Sequence, residues 1–182
     1  MLPIVSIVGK SQSGKTVLME QLIAEFKRRG YKVAALKHSP GGMEMDRPGK
    51  DSWRFAQAGS DAVLISSTDK LAFIKNLDHE LNIEEILQVV GAEFDLFLAE
   101  GFRKSKTPKM EVHRKELGED LLCSPEELSA IVTDGSLDTD IPQLPWGDTV
   151  AIADFIEKNF VLKSQGSASL PPEGKGLGAE NV

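Results

Sequence analysis

The feature that most constrains this chain is the octapeptide GKSQSGKT, which lies between an apolar run and a helical pattern. Its two glycines let the chain turn tightly, so that successive backbone N–H groups point into one hollow at the positive end of a helix dipole. In this pattern Lys15 reaches the β- and γ-phosphates of a nucleotide, and the hydroxyl of Thr16 is placed to ligate Mg²⁺. The octapeptide therefore predicts a phosphate-binding loop made of Gly9, Lys10, Ser11, Gln12, Ser13, Gly14, Lys15 and Thr16.

The patterns around this loop predict a parallel α/β sheet. An apolar run over residues 2–8 precedes it, and a helical stripe begins at Val17 and stops at Gly30. A second strand is predicted over residues 31–36. A strand, a helix and a strand in succession form a right-handed parallel crossover with the loop at the carboxyl edge. We therefore expect a three-layer α/β P-loop NTPase fold, with a mostly parallel twisted sheet and helices on both faces.

The rest of the chain supplies further elements. Two runs around Ser67-Thr68-Asp69-Lys70 predict an antiparallel hairpin that adds an edge to the sheet. Helices are predicted over residues 52–59, from a capping box at Asn82 to Gly91, briefly after Ser124, and from Asp148 to Asn159. Strands are predicted over residues 62–66, 71–75, 94–99, 109–113 and 128–132.

Two carboxylates are candidate metal ligands beside the loop. Glu100 follows a nearly continuous apolar run, which is typical of a strand covered on both faces. In nucleotide-hydrolysing folds, a carboxylate at this point holds Mg²⁺ or orients the attacking water. Asp46 lies in a long loop rich in proline and glycine, where a switch loop belongs. We expect Lys15 and Glu100 to be catalytic and Thr16, Asp46 and Glu100 to bind metal, although acids in such places also occur without a ligand.

Guanine recognition rests on one acid. GTP-binding proteins recognise guanine with an Asn-Lys-x-Asp sequence after a late strand, where the carboxylate accepts from the ring N1–H and the exocyclic amine. Here only Thr133-Asp134 is similar. Asp134 is therefore the candidate guanine ligand, and an ordinary turn acid is the alternative.

Charge and composition narrow the class of protein. A net charge of −7 and a pI near 5.1 argue against a general nucleic-acid binder. The segment 101–115 is nevertheless strongly basic and the segment 116–140 strongly acidic. This segregation of charge has two explanations. The basic segment could bind an anionic second ligand next to Glu100, or the two segments could form two solvated faces.

The bulk properties predict a cytoplasmic protein with no membrane segment. The 182 residues contain one cysteine, Cys123, so that an intrachain disulfide is excluded, and no apolar run approaches the ~20 residues that span a bilayer. We expect one nucleotide-binding domain over residues 1–162 and a disordered Gly-, Ser- and Pro-rich tail over residues 163–182.

Three blocks of sequence together resemble the family of MobB, the molybdopterin-guanine dinucleotide biosynthesis protein B. They are GKSQSGKT, the stretch KHSP with Asp46 and GKDS, and LAEGFR with Pro108-Lys109. The resemblance implies a homodimeric, GTP-binding, weakly hydrolysing accessory protein. Such a protein assists the guanylyltransferase that joins GMP to molybdopterin. It also implies phosphate contacts by residues 9–16, Mg²⁺ at Thr16 and Glu100, and a switch region at Asp46.

We expect four basic residues to contact molybdopterin or an acidic surface of the transferase. They are Arg103, Lys104, Lys106 and Lys109. Two other functions stay open. A P-loop small-molecule kinase would transfer the γ-phosphoryl group to an anionic acceptor on the basic segment. A nucleotide-dependent binding module would show no turnover.

Overall fold

The computed structural model describes residues 3–39, 41–42, 46–91 and 93–163. The chain divides into two compact units, a larger one of residues 1–36 and 93–182 and a smaller one of residues 37–92. The predicted tail covers residues 163–182, of which all but residue 163 lie outside the described residues, so the domain boundary near residue 162 stays a prediction. Within the described ranges, no helix combines the length and apolarity needed to cross a membrane.

The strands are β1 Ile4–Val8, β2 Val33–Lys37, β3 Ala62–Ser66, β4 Leu71–Lys75, β5 Leu96–Glu100, β6 Lys109–His113, β7 Leu128–Thr133 and β8 Gln143–Pro145. The helices are α1 Lys15–Arg28, α2 Asp51–Gln57, α3 Ile83–Val90 and α4 Thr149–Ile156. Short 3₁₀ turns cover Lys115–Leu117 and Pro125–Glu127. A single π turn, Glu157–Val161, continues α4, so the predicted α-helix to Asn159 ends earlier.

The larger unit is built on a six-stranded sheet in the order β2-β5-β1-β6-β7-β8. The pairs β1–β5, β1–β6, β6–β7 and β7–β8 are all parallel. The carboxyl ends of these strands therefore meet at one edge of the sheet, where the phosphate-binding loop follows β1. The predicted mostly parallel sheet is confirmed.

Helices α1 and α4 pack on one face of this sheet. Leu22 and Phe26 of α1 and Ile152 and Ile156 of α4 are fully buried in a core that includes β1, β5, β6 and β7. Each such side chain contributes about 1.5–3 kcal/mol by leaving water. The spacing of apolar residues thus predicted the buried face of α1 correctly. This face holds α1, which begins at the loop, against the sheet.

The opposite face of the same sheet carries buried polar side chains, and irregular segments cover it. The Ser6 hydroxyl lies 2.7 Å from that of Thr107. The Glu111 carboxylate accepts from the backbone N–H groups of Leu122 and Cys123 at 2.6 and 3.0 Å. Because Glu111 is only 1% exposed, these bonds replace the hydrogen bonds that its carboxylate would otherwise make with water. In the described part of the larger unit, loops and 3₁₀ turns take the place of helices on this face.

The smaller unit contains the predicted hairpin. Strands β3 and β4 pair antiparallel with Leu64 opposite Phe73, and their bounds match the prediction. They form a two-stranded sheet of their own, so the expectation that they extend the edge of the main sheet is wrong. The capping box at the start of α3 is confirmed, because Asn82 and Glu85 exchange side-chain to backbone hydrogen bonds of 3.0 and 2.8 Å.

Candidate nucleotide-binding site

The two glycines of the loop occupy positions that no other residue fits without strain. Gly9 has φ +144°, and a Cβ there would lie 2.5 Å from the Val112 carbonyl oxygen. Gly14 has φ +94°, and a Cβ there would lie 2.5 Å from Cη2 of the Trp146 ring. Because both values of φ are positive, a side chain would be strained even without these neighbours. The loop is therefore shaped by close backbone approach, as its sequence predicts.

Ser13 gives a direct indication of an anionic ligand. Among the buried side-chain oxygens and nitrogens of the described residues, the Oγ of Ser13 is the one that has no hydrogen-bond partner. Leaving a buried hydroxyl unsatisfied costs about 1–3 kcal/mol. This hydroxyl lies inside the loop, 2.9 Å from where a Cβ of Gly9 would be. A phosphate oxygen bound in the loop would accept the hydrogen bond that Ser13 does not otherwise make.

The loop lysines have defined partners. Lys15, the first residue of α1, donates from Nζ to the carbonyl oxygen of Lys10 at 2.7 Å. Its ammonium group is thus folded back over the loop, where it would meet the phosphates. Lys10 donates from Nζ to the carbonyl oxygen of Leu117 at 3.0 Å. Lys10 therefore ties the loop to the segment after β6.

Thr16 and Glu100 lie together, as a shared metal ion requires. Strand β5 pairs with β1 so that Glu100 stands opposite Ile7, and the Thr16 hydroxyl donates to Oε2 of Glu100 at 3.3 Å. Two oxygens that each lie about 2.1 Å from one Mg²⁺ are at most about 4.2 Å apart. A hydroxyl and a carboxylate oxygen are ligands that suit Mg²⁺, which takes its other ligands from phosphates and water. The two residues fit the ion.

Asp46, the third predicted metal ligand, lies in the smaller unit, as do two neighbouring polar residues, His38 and Asp51. Oδ1 of Asp46 accepts from the backbone N–H of Arg47 at 2.8 Å. Asp51 opens α2, and its carboxylate is 3.8 Å from the guanidinium of Arg54. His38 lies 2.6 Å from the Glu80 carboxylate. A metal role for Asp46 stays a prediction, and part of its loop, at residues 40 and 43–45, lies outside the described residues.

Asp134 occupies the carboxyl end of β7, but both its oxygens hold donors. Arg114 Nε donates to Oδ2 at 2.6 Å, and the backbone N–H of Lys115 donates to Oδ1 at 2.9 Å. These bonds, first that from Lys115 and then that from Arg114, lower the pKa of Asp134. The Arg114 guanidinium in turn lies 4.9 Å from the centre of the Trp146 ring.

Trp146 is the neighbour of the loop that sequence reasoning missed. It follows β8, whose three residues end in a proline and for which the sequence predicts no strand. Neither periodicity nor a motif marks a strand of three residues. An aromatic residue at the end of a parallel strand would have been a signal once that strand was known.

The basic segment is only partly accessible. Arg103, Lys104 and Lys106 are exposed. The side chain of Lys109 is 4% exposed, and its Nζ donates to the Ser105 carbonyl at 2.6 Å and lies 3.3 Å from Glu127. The Lys109 ammonium is therefore held inside the fold, and its contact with molybdopterin or a partner stays a prediction. Lys104 and Lys106 line a cleft of about 450 Å³ at the amino ends of β6 and β7.

The fold and this loop place the chain in the class of proteins with a P-loop NTPase fold. A family model described as "MobB: Molybdopterin guanine dinucleotide synthesis protein B" matches residues 4–134. The "Molybdopterin-guanine dinucleotide biosynthesis adapter protein" of Haemophilus influenzae is 36% identical over 157 residues, which are 86% of this chain and 88% of the relative. The protein of the same name from Escherichia coli is 29% identical over 165 residues, with 86% and 92% coverage.

Solved structures agree with these matches. The crystal structure of Bacillus subtilis MobB superposes with a TM-score of 0.70 at 28% identity, and the match covers 87% of this chain and 98% of the Bacillus subtilis chain. A second structure, of "molybdopterin-guanine biosynthesis protein B (mobB)", gives a TM-score of 0.67 at 30% identity, with 85% and 97% coverage. The chain belongs to the MobB family.

Proposed function

We propose that this protein is a GTP-binding adapter in the biosynthesis of molybdopterin-guanine dinucleotide, acting in the cytoplasm beside a molybdopterin guanylyltransferase. The names of the relatives support the pathway and the adapter role. The unsatisfied hydroxyl of Ser13 inside a glycine loop is the observation that supports nucleotide binding most directly.

In this proposal residues 9–16 bind the phosphates, and Lys15 neutralises charge on the β- and γ-phosphates. Thr16 and Glu100 hold Mg²⁺, and the metal role of Asp46 stays a prediction from the sequence. The metal supplies charge stabilisation for phosphoryl chemistry when it is bound. Turnover is expected to be slow. Fast P-loop hydrolases use an arginine or glutamine at the γ-phosphate, and Arg114 is already bonded to Asp134.

The position of the basic cleft argues against the kinase alternative. The cleft lies at the amino ends of β6 and β7, whereas the loop lies at the carboxyl edge of the sheet. From its first to its last residue, β6 advances four steps of about 3.3 Å, or about 13 Å. Phosphoryl transfer needs reacting atoms about 3–3.5 Å apart. An acceptor bound in this cleft would be too far away, so a contact of Arg103, Lys104 and Lys106 with molybdopterin or the transferase fits better.

We also propose a homodimer, with the hairpin of the smaller unit as the interface. Leu64 and Phe73 are cross-strand neighbours and are 63% and 46% exposed, and Leu71 on the same face is 69% exposed. An apolar sheet face of this kind is costly in water and is typical of an interface. Light scattering should give the dimer mass for the wild type and the monomer mass for Leu64→Lys. A wild-type monomer would overturn this part of the proposal.

The central test measures nucleotide binding and assistance to the transferase together. Titration with GTP and Mg²⁺ should show binding that Lys15→Ala abolishes. Lys27→Ala, a lysine on the exposed side of the same helix, is the matched control and should bind normally. A guanylyltransferase supplied with molybdopterin and GTP should form more dinucleotide when the wild-type protein is present. Equal product with and without it, or a phosphorylated small molecule, would contradict the adapter function.

A further inference from the structure

Three consecutive strand ends line up at the nucleotide edge of the sheet. In the registers of β6–β7 and β7–β8, His113 stands opposite Thr133 and Thr133 opposite Pro145. The next residues along the three strands are Arg114, Asp134 and Trp146. The backbone N–H of Trp146 donates to the Thr133 carbonyl at 2.7 Å, which fixes the backbone of Trp146 beside the end of β7.

These three side chains form one connected group, which we call the strand-end triad. Asp134 accepts from Arg114 Nε at 2.6 Å, and the Arg114 guanidinium stacks 4.9 Å from the centre of the Trp146 ring. The edge of that ring lies against Gly14 of the phosphate-binding loop. The triad thus reaches from the loop across the ends of three strands, and Arg114 is held in one orientation from two sides.

The order of the strands indicates which part of a nucleotide meets the triad. Thr16 and Glu100, the candidate Mg²⁺ ligands, lie toward β5 on one side of β1. Mg²⁺ held by Thr16 and Glu100 would place the terminal phosphates of a bound nucleotide on the β5 side of the loop. β6, β7 and β8 lie on the other side of β1. The sugar and the base therefore extend over the ends of β6, β7 and β8, where the triad stands.

We propose that Arg114 recognises guanine through O6 and N7 of the base, and that Asp134 is a positioning residue that holds Arg114 in place. This inference rests on the proposed GTP binding and names the group that selects the base. The bond to Asp134 uses one of the five N–H donors of the guanidinium, and the exposed Glu116 carboxylate lies 3.7 Å from Nη2, beyond hydrogen-bond distance. Paired donors on arginine match the two acceptors on that edge of guanine. Adenine has an amino group in place of O6 and offers arginine only N7.

Direct recognition of guanine by Asp134 would have to use the second acceptor site of each carboxylate oxygen. A carboxylate that accepts from N1–H and the exocyclic amine needs both its oxygens. In this structure Arg114 and the backbone of Lys115 already donate to them. The two modes use different edges of the base, so nucleotide analogues can distinguish them.

The experiment is a set of Mg²⁺ titrations of the full chain with GTP, ATP, ITP and 7-deaza-GTP. ITP keeps O6 and N7 but lacks the exocyclic amine, and 7-deaza-GTP lacks N7. We expect ITP to bind as tightly as GTP. ATP and 7-deaza-GTP should each bind about 5- to 150-fold more weakly, the range for loss of such a paired contact. Weak ITP binding with normal 7-deaza-GTP binding would overturn the inference in favour of Asp134.

Variants separate this inference from the proposed function. Arg114→Met and Asp134→Asn should weaken GTP binding more than ATP binding and so reduce the preference for GTP, a change that general destabilisation would not produce. Arg114→Lys keeps the charge without the paired donors and should behave like Arg114→Met. Arg54→Met, an exposed arginine of the smaller unit, is the control and should keep the preference.

Equal affinity of the wild type for GTP and ATP would overturn base recognition by Arg114 while leaving phosphate binding intact. If none of the four nucleotides bound, the proposed GTP-binding function itself would fail.

Discussion

Replacement of Gly14 by alanine tests the contact between the loop and the strand-end triad. The new Cβ would lie 2.5 Å from Cη2 and 2.9 Å from Cζ2 of the Trp146 ring, and 3.4 Å from Cζ3. The ring cannot simply move aside, because it packs against the core and under Arg114. Overpacking of this kind costs about 1–3 kcal/mol. The left-handed backbone at φ +94° adds about 1–2 kcal/mol for a residue with a side chain.

Gly30→Ala isolates the backbone part of this cost. Gly30 has φ +91°, nearly the value of Gly14, and a Cβ there would meet nothing within 4 Å. It should therefore lose only about 1–2 kcal/mol, against about 2–5 kcal/mol for Gly14→Ala. For a chain of this size each kcal/mol lowers Tm by about 2–4 °C.

The assay is thermal unfolding of both variants, alone and combined with Trp146→Ala. Removing the ring should bring the cost of Gly14→Ala down to that of Gly30→Ala. Equal losses for the two glycine variants in the presence of Trp146 would refute the reasoning, since the ring would then not be seated on the loop. The same would follow if Trp146→Ala brought no relief.

Three further predictions concern charge and the metal. The pKa of Glu25 is lowered to about 2 by its bonds to Arg28 and then Arg29. Its stabilising effect is therefore present above the unfolded value near 4.5 and is lost as the pH falls toward 2, so Glu25→Gln should flatten the decline in Tm below pH 4.5. Glu111→Ala removes the acceptor of two backbone N–H groups, one buried and one partly buried, and should cost about 2–6 kcal/mol in urea unfolding, more than Glu111→Gln; a loss below about 1 kcal/mol would show that water replaces it. Glu100→Gln should slow Mg²⁺-dependent GTP hydrolysis more than it weakens GTP binding, and equal effects on both would count against Glu100 as the metal ligand.

The parts of the site that sequence reasoning identified are local. The octapeptide contains its own glycines, lysine and hydroxyl, and Glu100 ends an apolar run that lies next to β1 in the sheet. Both depend on short stretches whose structure follows from composition and spacing. For this reason the fold class and the loop could be predicted without any contact between distant residues.

What the sequence did not reveal depends on distant contacts. Strand β8 exists because Gln143, Leu144 and Pro145 pair with β7, and a pattern of three residues carries no period. Lys109, Glu111 and His113 alternate with apolar residues as in a half-exposed strand, yet all five residues of β6 are buried. The cover comes from segments on either side of β6 in the chain, and no local signal predicts where an irregular segment folds back.

The way Glu111 fastens that cover has a consequence for variation between relatives. The carboxylate binds main-chain amides at residues 122 and 123, and any amino acid except proline supplies such an amide. The path of the covering segment is therefore specified by a residue outside it, and of the side chains at these two positions only that of Cys123 is buried. Substitutions there can remodel the surface on this side of the molecule without shifting the strand that leads to Arg114.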